Sequence, residues 1–184
     1  MEREMKTSGW PLLAITILLS APLLVGGKAR AADNLSFTGN LVVEACTIRP
    51  GDEALELELR DVSSRDLYLN IRTPGRLFEI HLEGCDTSIS DSVITTFSGV
   101  ENSELPGFLA LAAGSTAKGV AIGLETLTDN LLPLNVASDP QTLSDGANAI
   151  GFKAYIRGEP KAIEQQTIIA GQYSAVSTFT LAYP

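Results

Sequence analysis

The sequence has few of the residues that carry chemistry. It holds one histidine, His81, and two cysteines, Cys46 and Cys85, in 184 residues. One imidazole and no Cys-x-x-Cys spacing leave no ligand set for a metal. No Gly-x-Ser-x-Gly elbow or phosphate-cradling glycine loop occurs, and the Gly-Ser-Thr at 114–116 reads as a turn. His81 falls between Glu79 and Glu83 on the polar face of an alternating stretch, the setting of a surface strand residue rather than a base. The pairs Glu56/Glu58 and Glu79/Glu83 share solvated strand faces in the same way. No enzyme and no cofactor are expected. Basic residues are also scarce, 13 against 22 acidic ones, for a net charge of −9. That balance argues against nucleic acid and anionic membranes as partners. Past the N-terminal segment no apolar run is long enough to span a bilayer, so no stable membrane insertion is expected.

What is present begins with a leader. The run WPLLAITILLSAPLLVGG at residues 10–27 is broken by Pro11 and Pro22 and is followed by Ala29-Arg30-Ala31, a small-x-small cleavage site. A transmembrane anchor is the alternative, and the two prolines and the cleavage site speak against it. Glu2 and Glu4 offset Arg3 and Lys6, so a start at Met5 would give a cleaner leader. Cleavage after Ala31 leaves 153 of the 184 residues, the size of one domain. It also removes four basic and two acidic side chains, taking the net charge from −9 to −11. The chain is expected to be exported. In an exported chain Cys46 and Cys85 pair most simply as one disulfide; two free thiols or an intermolecular link are the alternatives.

The stretch ADNLSFTGNLVVEAC at 32–46 alternates. Leu35, Phe37, Gly39, Leu41 and Val43 share one face, and Ser36, Thr38 and Asn40 lie on the other, with Val42 as the exception. As a strand, residues 35–43 are about 30 Å long at ~3.3 Å per residue. Gly39 either marks a bend or faces a pocket too shallow for a side chain. Further strands are predicted at 54–60, 76–85, 92–100, 107–114, 119–127, 149–158 and 174–184. In the last of these, Ala175, Phe179, Leu181 and Tyr183 lie in one register. The polar stretch at 135–148 reads as a loop. With no long amphipathic helix, this spacing indicates an all-β sandwich in one domain.

The leader, the alternating arm with its central glycine, Cys46 just after the arm, Cys85 ending a strand and the penultimate Tyr183 together resemble pilin subunits of chaperone–usher fimbriae. The resemblance covers essentially the whole mature chain. The arm is similar to those of P-pilus tip subunits, and residues 104–124 resemble an adaptor minor pilin more than a rod subunit. The resemblance implies an incomplete immunoglobulin-like sandwich lacking its seventh strand, with residues 1–31 a signal peptide, 32–45 a donor-strand extension and 46–184 the pilin domain. It implies a groove edged by the first and last strands. A periplasmic chaperone would fill it first, and the arm of a neighbouring subunit would replace that strand at the outer-membrane usher. This is β-strand addition. Leu35, Phe37, Leu41 and Val43 would then be plugs, each worth roughly 1.5–3 kcal/mol if fully buried, with Gly39 facing the shallow pocket. Phe179, Leu181 and Tyr183 would line the groove, and the carboxylate of Pro184 would meet basic residues of the chaperone. The other readings are a secreted immunoglobulin-like binding module using the 135–148 loop and, more weakly, a small hydrolase. A complete binding domain would be a stable monomer, whereas an incomplete pilin would aggregate until a strand is supplied.

Overall fold

The computed structural model describes residues 43–184. Seven strands and two short helices follow in order. They are β1 (Thr47–Ile48), α1 (Ser64–Asn70), β2 (Arg76–Cys85), β3 (Ser92–Gly99), β4 (Val120–Glu125), β5 (Gln141–Thr142), β6 (Gly146–Gly158), α2 (Pro160–Glu164) and β7 (Ser177–Ala182). One sheet has the order β1-β2-β6-β4 and the other β5-β3-β7. Alternation supplies the inner faces. Ile80 and Leu82 of β2, Val93 and Phe97 of β3, Leu124 of β4, and Ile150, Phe152 and Ala154 of β6 form one buried core. Three rings meet at its centre. Phe97 lies edge-on to Phe152 at 5.0 Å, and Phe78 reaches both at 6.0 and 5.9 Å.

The strand order matches the immunoglobulin plan, in which A, B, E and D form one sheet and C, F and G the other. Strands β1, β2, β6 and β4 take the first four places, and β3 and β7 take C and F. Among the described residues no strand pairs the outer edge of β7. The fold is an all-β, incomplete immunoglobulin-like sandwich without its seventh strand.

Several sequence expectations hold with small shifts. The 76–85 strand has the expected bounds, and β6 starts three residues early, at Gly146 inside the 135–148 stretch. That stretch also contains β5. Two expected strands are absent. Residues 107–114 make only single bridges through Leu109, to Glu101 and Ile122. Residues 55–60 form no ladder at all, and Ala54 closes a 3-10 turn (Asp52–Ala54). Their apolar–acidic alternation is real, since Leu57 and Leu59 pack on the core while Glu56 and Glu58 are exposed, but no strand lies alongside to pair with them. The helices are too short for periodicity to reveal. α1 is capped by Ser63, whose hydroxyl accepts the Asp66 N–H at 3.1 Å, and α2 opens on Pro160.

Tyr155 differs from expectation in burial rather than in face. It lies on the outer face of its sheet with Lys153 and Arg157, yet it is almost fully buried. The loop carrying Leu105 and Phe108 covers it, and the Arg72 guanidinium lies 3.8 Å above its ring. Gly123 makes room, because any Cβ there would collide with the Tyr155 and Phe108 rings. Arg72 in turn holds the buried Glu125 through two hydrogen bonds of 2.8 and 3.0 Å.

Cys46 and Cys85 form a disulfide, with Cα atoms 4.1 Å apart. It joins the residue before β1 to the end of β2 across 39 positions. Replacing both cysteines by serine is expected to lower stability by about 4 kcal/mol in the chain-entropy model. A urea titration of the oxidised chain against the C46S/C85S variant measures this, and coincident midpoints would contradict it.

Candidate functional site: an open groove beside the last strand

The last strand is an edge with an apolar underside. Among the described residues β7 pairs only with β3, in a register running from Ile94↔Ala182 to Gly99↔Ser177. At period two from Ala175, every second residue turns toward the core: Ala175, Ser177, Phe179, Leu181 and Tyr183. Ser177, the polar member of that row, donates its hydroxyl to the Ser98 carbonyl at 2.9 Å. The three aromatic and leucine side chains expected to line a groove are therefore together on one side. All three remain half-exposed. A central strand would bury them, so their exposure follows from the unpaired edge.

A cavity of about 610 Å³ adjoins that edge. Phe179 and Ala175 form one wall and Leu55, Leu57 and Leu59 the other. Its floor is the sandwich core, reached at Phe78, Phe97, Leu109, Ile122, Leu124 and Ala154. These floor residues all lie in stretches predicted as strands, but nothing in a periodic pattern says that a core position will also be reachable from outside. A second cavity of about 900 Å³ lies beside α1, between Val62, Arg72 and Ile156, and shares only Leu59 with the first. It does not touch β7.

Of the arm positions, Leu35, Phe37, Gly39 and Leu41 lie outside the described residues. Val43 is described and is 73% exposed. Pro184 is exposed and an oxygen of its terminal carboxylate accepts the Ser90 hydroxyl at 3.0 Å. The ladder with β3 already ends at Ala182, so the missing N–H of Pro184 costs no rung there.

His81, expected as a plain surface residue, belongs to a polar cluster that sequence reasoning missed. Asp52 is buried, and its Oδ2 accepts the His81 backbone N–H at 2.7 Å and lies 2.8 Å from the His81 Nδ1. Arg49 donates to Oδ1 at 3.1 Å, and Glu79 stands 3.8 Å from the His81 Nε2. The signal was faint. Arg49-Pro50-Gly51-Asp52 is a tight-turn sequence that returns an acid to the strand it has just left. Among the described residues no group of acids, histidine and cysteines is arranged to hold a metal.

These features define the class: a β-sandwich built one strand short, with a groove where that strand would lie. The family model described as "Fimbrial protein" matches residues 35–184. The Fimbria A protein of Serratia marcescens is 31% identical over 172 residues, covering 94% of this chain and 96% of its own. The fimbrial adapter PapK of Escherichia coli is 29% identical over 172 residues, covering 90% and 96%. Two Proteus mirabilis relatives in the same range carry the words minor and major in their names. The crystal structure of the P pilus rod subunit PapA superposes with a TM-score of 0.65 at 20% identity, over 77% of this chain and all of that one. The chain belongs to the fimbrial protein family. It is a pilin of the chaperone–usher type, a structural subunit of a cell-surface fimbria that contacts other subunits, and not an enzyme.

The Asp52 cluster carries a pH signature. The His81 backbone N–H, against the opposing effect of burial and with help from the His81 and Arg49 side chains, holds the carboxyl at about 2, below its ordinary 3.8. A depressed folded-state value stabilises above the unfolded one and loses that contribution as pH falls through the folded one. Wild type is therefore expected to be more stable than Asp52→Asn above about pH 4, with the difference shrinking from there and gone below about pH 2. Urea midpoints of both proteins across that range are the check.

Proposed function

We propose that this chain is a minor, adaptor-type subunit that polymerises by donor-strand exchange in a pilus used for adhesion. The observation that carries the proposal is the open edge of β7 above a groove floored by the core. An unpaired edge offers a row of N–H and C=O groups, and the groove offers pockets for alternate side chains, which are the two requirements of strand addition. The removable leader at 1–31 would deliver the chain to the periplasm. A chaperone would there cover the apolar groove, which otherwise favours aggregation. At the outer-membrane usher the arm of the next subunit would take its place, while residues 32–45 of this chain enter the groove of the preceding one. The resemblance of residues 104–124 and the relation to a fimbrial adapter support the adaptor position. The competing positions in the same fibre are tip stalk, rod and terminator, and a relative named a major fimbria protein keeps a major-subunit place among them.

Co-expression with the neighbouring chaperone, followed by a matrix of arm peptides from sister subunits, tests the whole scheme. An adaptor is expected to take one sister arm into its groove and to offer its own arm to a different sister. A chain that stays a stable monomer without any chaperone or peptide would instead be a self-complete binding module. Two variants sharpen the result. Gly39→Leu is expected to leave the fold intact and to block entry of the arm into a chaperone-bound acceptor; normal exchange kinetics would sink the pocket assignment. Deleting Tyr183 and Pro184 is expected to abolish recovery of the chaperone complex, and undiminished co-purification would refute it.

A further inference from the structure

Between β1 and the groove wall the chain turns away from the sheet it has joined, and one carboxylate makes the change. β1 pairs Thr47 with Glu83 and Ile48 with Leu82. The next rung is half made: the Arg49 N–H donates to the His81 carbonyl at 2.9 Å, but the His81 N–H does not return to Arg49. Pro50 and Gly51 turn the chain instead, with Gly51 at φ +102° and the Asp52 N–H closing onto the Arg49 carbonyl at 2.9 Å. The Asp52 carboxylate then supplies the missing acceptor for the His81 N–H. From Ala54 the chain lines the groove opposite β7, through Leu55, Leu57 and Leu59, until Ser63 caps α1. No ladder bonds support this wall, so its position rests on Leu57 and Leu59 against the core and on the polar anchors at its two ends.

We propose that Asp52 is the pivot of the groove wall: by substituting for a backbone rung it ends β1, directs the next residues to the groove, and fixes how long a captured strand stays bound. It is a positioning residue, because its own side chain faces Arg49 and His81 and is not among the groove's lining groups. The inference rests on the donor-strand reading for the word captured, and on geometry alone for the word pivot.

The test uses the mature chain with the sister-subunit arm peptide that its groove takes up fastest and the variants D52A and D52N, with T87A as a control. Thr87→Ala also removes a hydrogen bond to a carboxylate, the one its hydroxyl donates to Asp145, in a loop that does not line the groove. D52A is expected to speed peptide release about tenfold, the equivalent of one charge-assisted hydrogen bond. D52N keeps an oxygen acceptor for the His81 N–H and is expected to fall between D52A and wild type. Methyl relaxation of Leu57 and Leu59 before peptide is added, in the chaperone-bound chain or in the free chain where that stays monomeric, reads the wall directly. Greater fast motion in D52A than in T87A supports the pivot, and equal motion overturns it. If wild type takes up none of the sister arms, the donor-strand reading fails while the methyl data still decide the pivot. If D52A releases peptide at the rate of T87A, the link between wall and strand lifetime is refuted.

Discussion

Among the described residues, the architecture turns on the unpaired outer edge of β7. Backbone N–H and C=O groups demand partners, and an edge strand leaves a row of them open. Proteins normally blunt such edges with charge, proline or a covering loop. Here β7 is flanked by an apolar cavity, and its inward side chains stay half-exposed. The sandwich therefore has a second sheet that is complete only when another strand is added. The wall opposite, residues 55–60, shares the incompleteness, since it too lacks a ladder. Core, edge and wall are three sides of the same missing strand.

The first sheet is built in the opposite spirit. β6 runs thirteen residues between β2 and β4, and from Ile150 onward most of it is buried on both faces. On the outer side Phe108, Tyr155 and Arg72 stack over the strand, and Glu125 takes the guanidinium. A buried pair of this kind is weak evidence for net stability, because desolvation offsets much of the attraction. Its geometric effect is clearer: it ties the stretch after α1 to β4. A rigid sheet thus backs a sheet that must accept an addition.

Much of this was legible in the sequence. Alternation placed β2 at its observed bounds and put Phe179, Leu181 and Tyr183 on one face, and two cysteines in a chain read as exported gave the disulfide. Period two reports which way side chains point, however, and says nothing of whether a neighbour lies alongside. That is why Leu57 and Leu59 pack on the core while the strand they implied did not form. The same limit hid the groove floor: Phe78 and Phe97 lie in predicted strands, and only the missing neighbour makes them reachable. Asp52 was illegible for another reason. Its partner His81 lies 29 positions away, and the contact depends on a turn, not on any repeat.

The disulfide has a mechanical meaning as well. A fibre subunit carries tension, and load coming along the chain from before Cys46 would reach β1 first. β1 is two residues long, and so short a ladder would peel one rung at a time. The Cys46–Cys85 bond lies ahead of it and delivers the pull covalently to the end of β2, a ten-residue strand held on its other side by β6. Force then enters the sandwich through a strand that must shear many bonds at once. A single cross-link turns a zipper into an anchor.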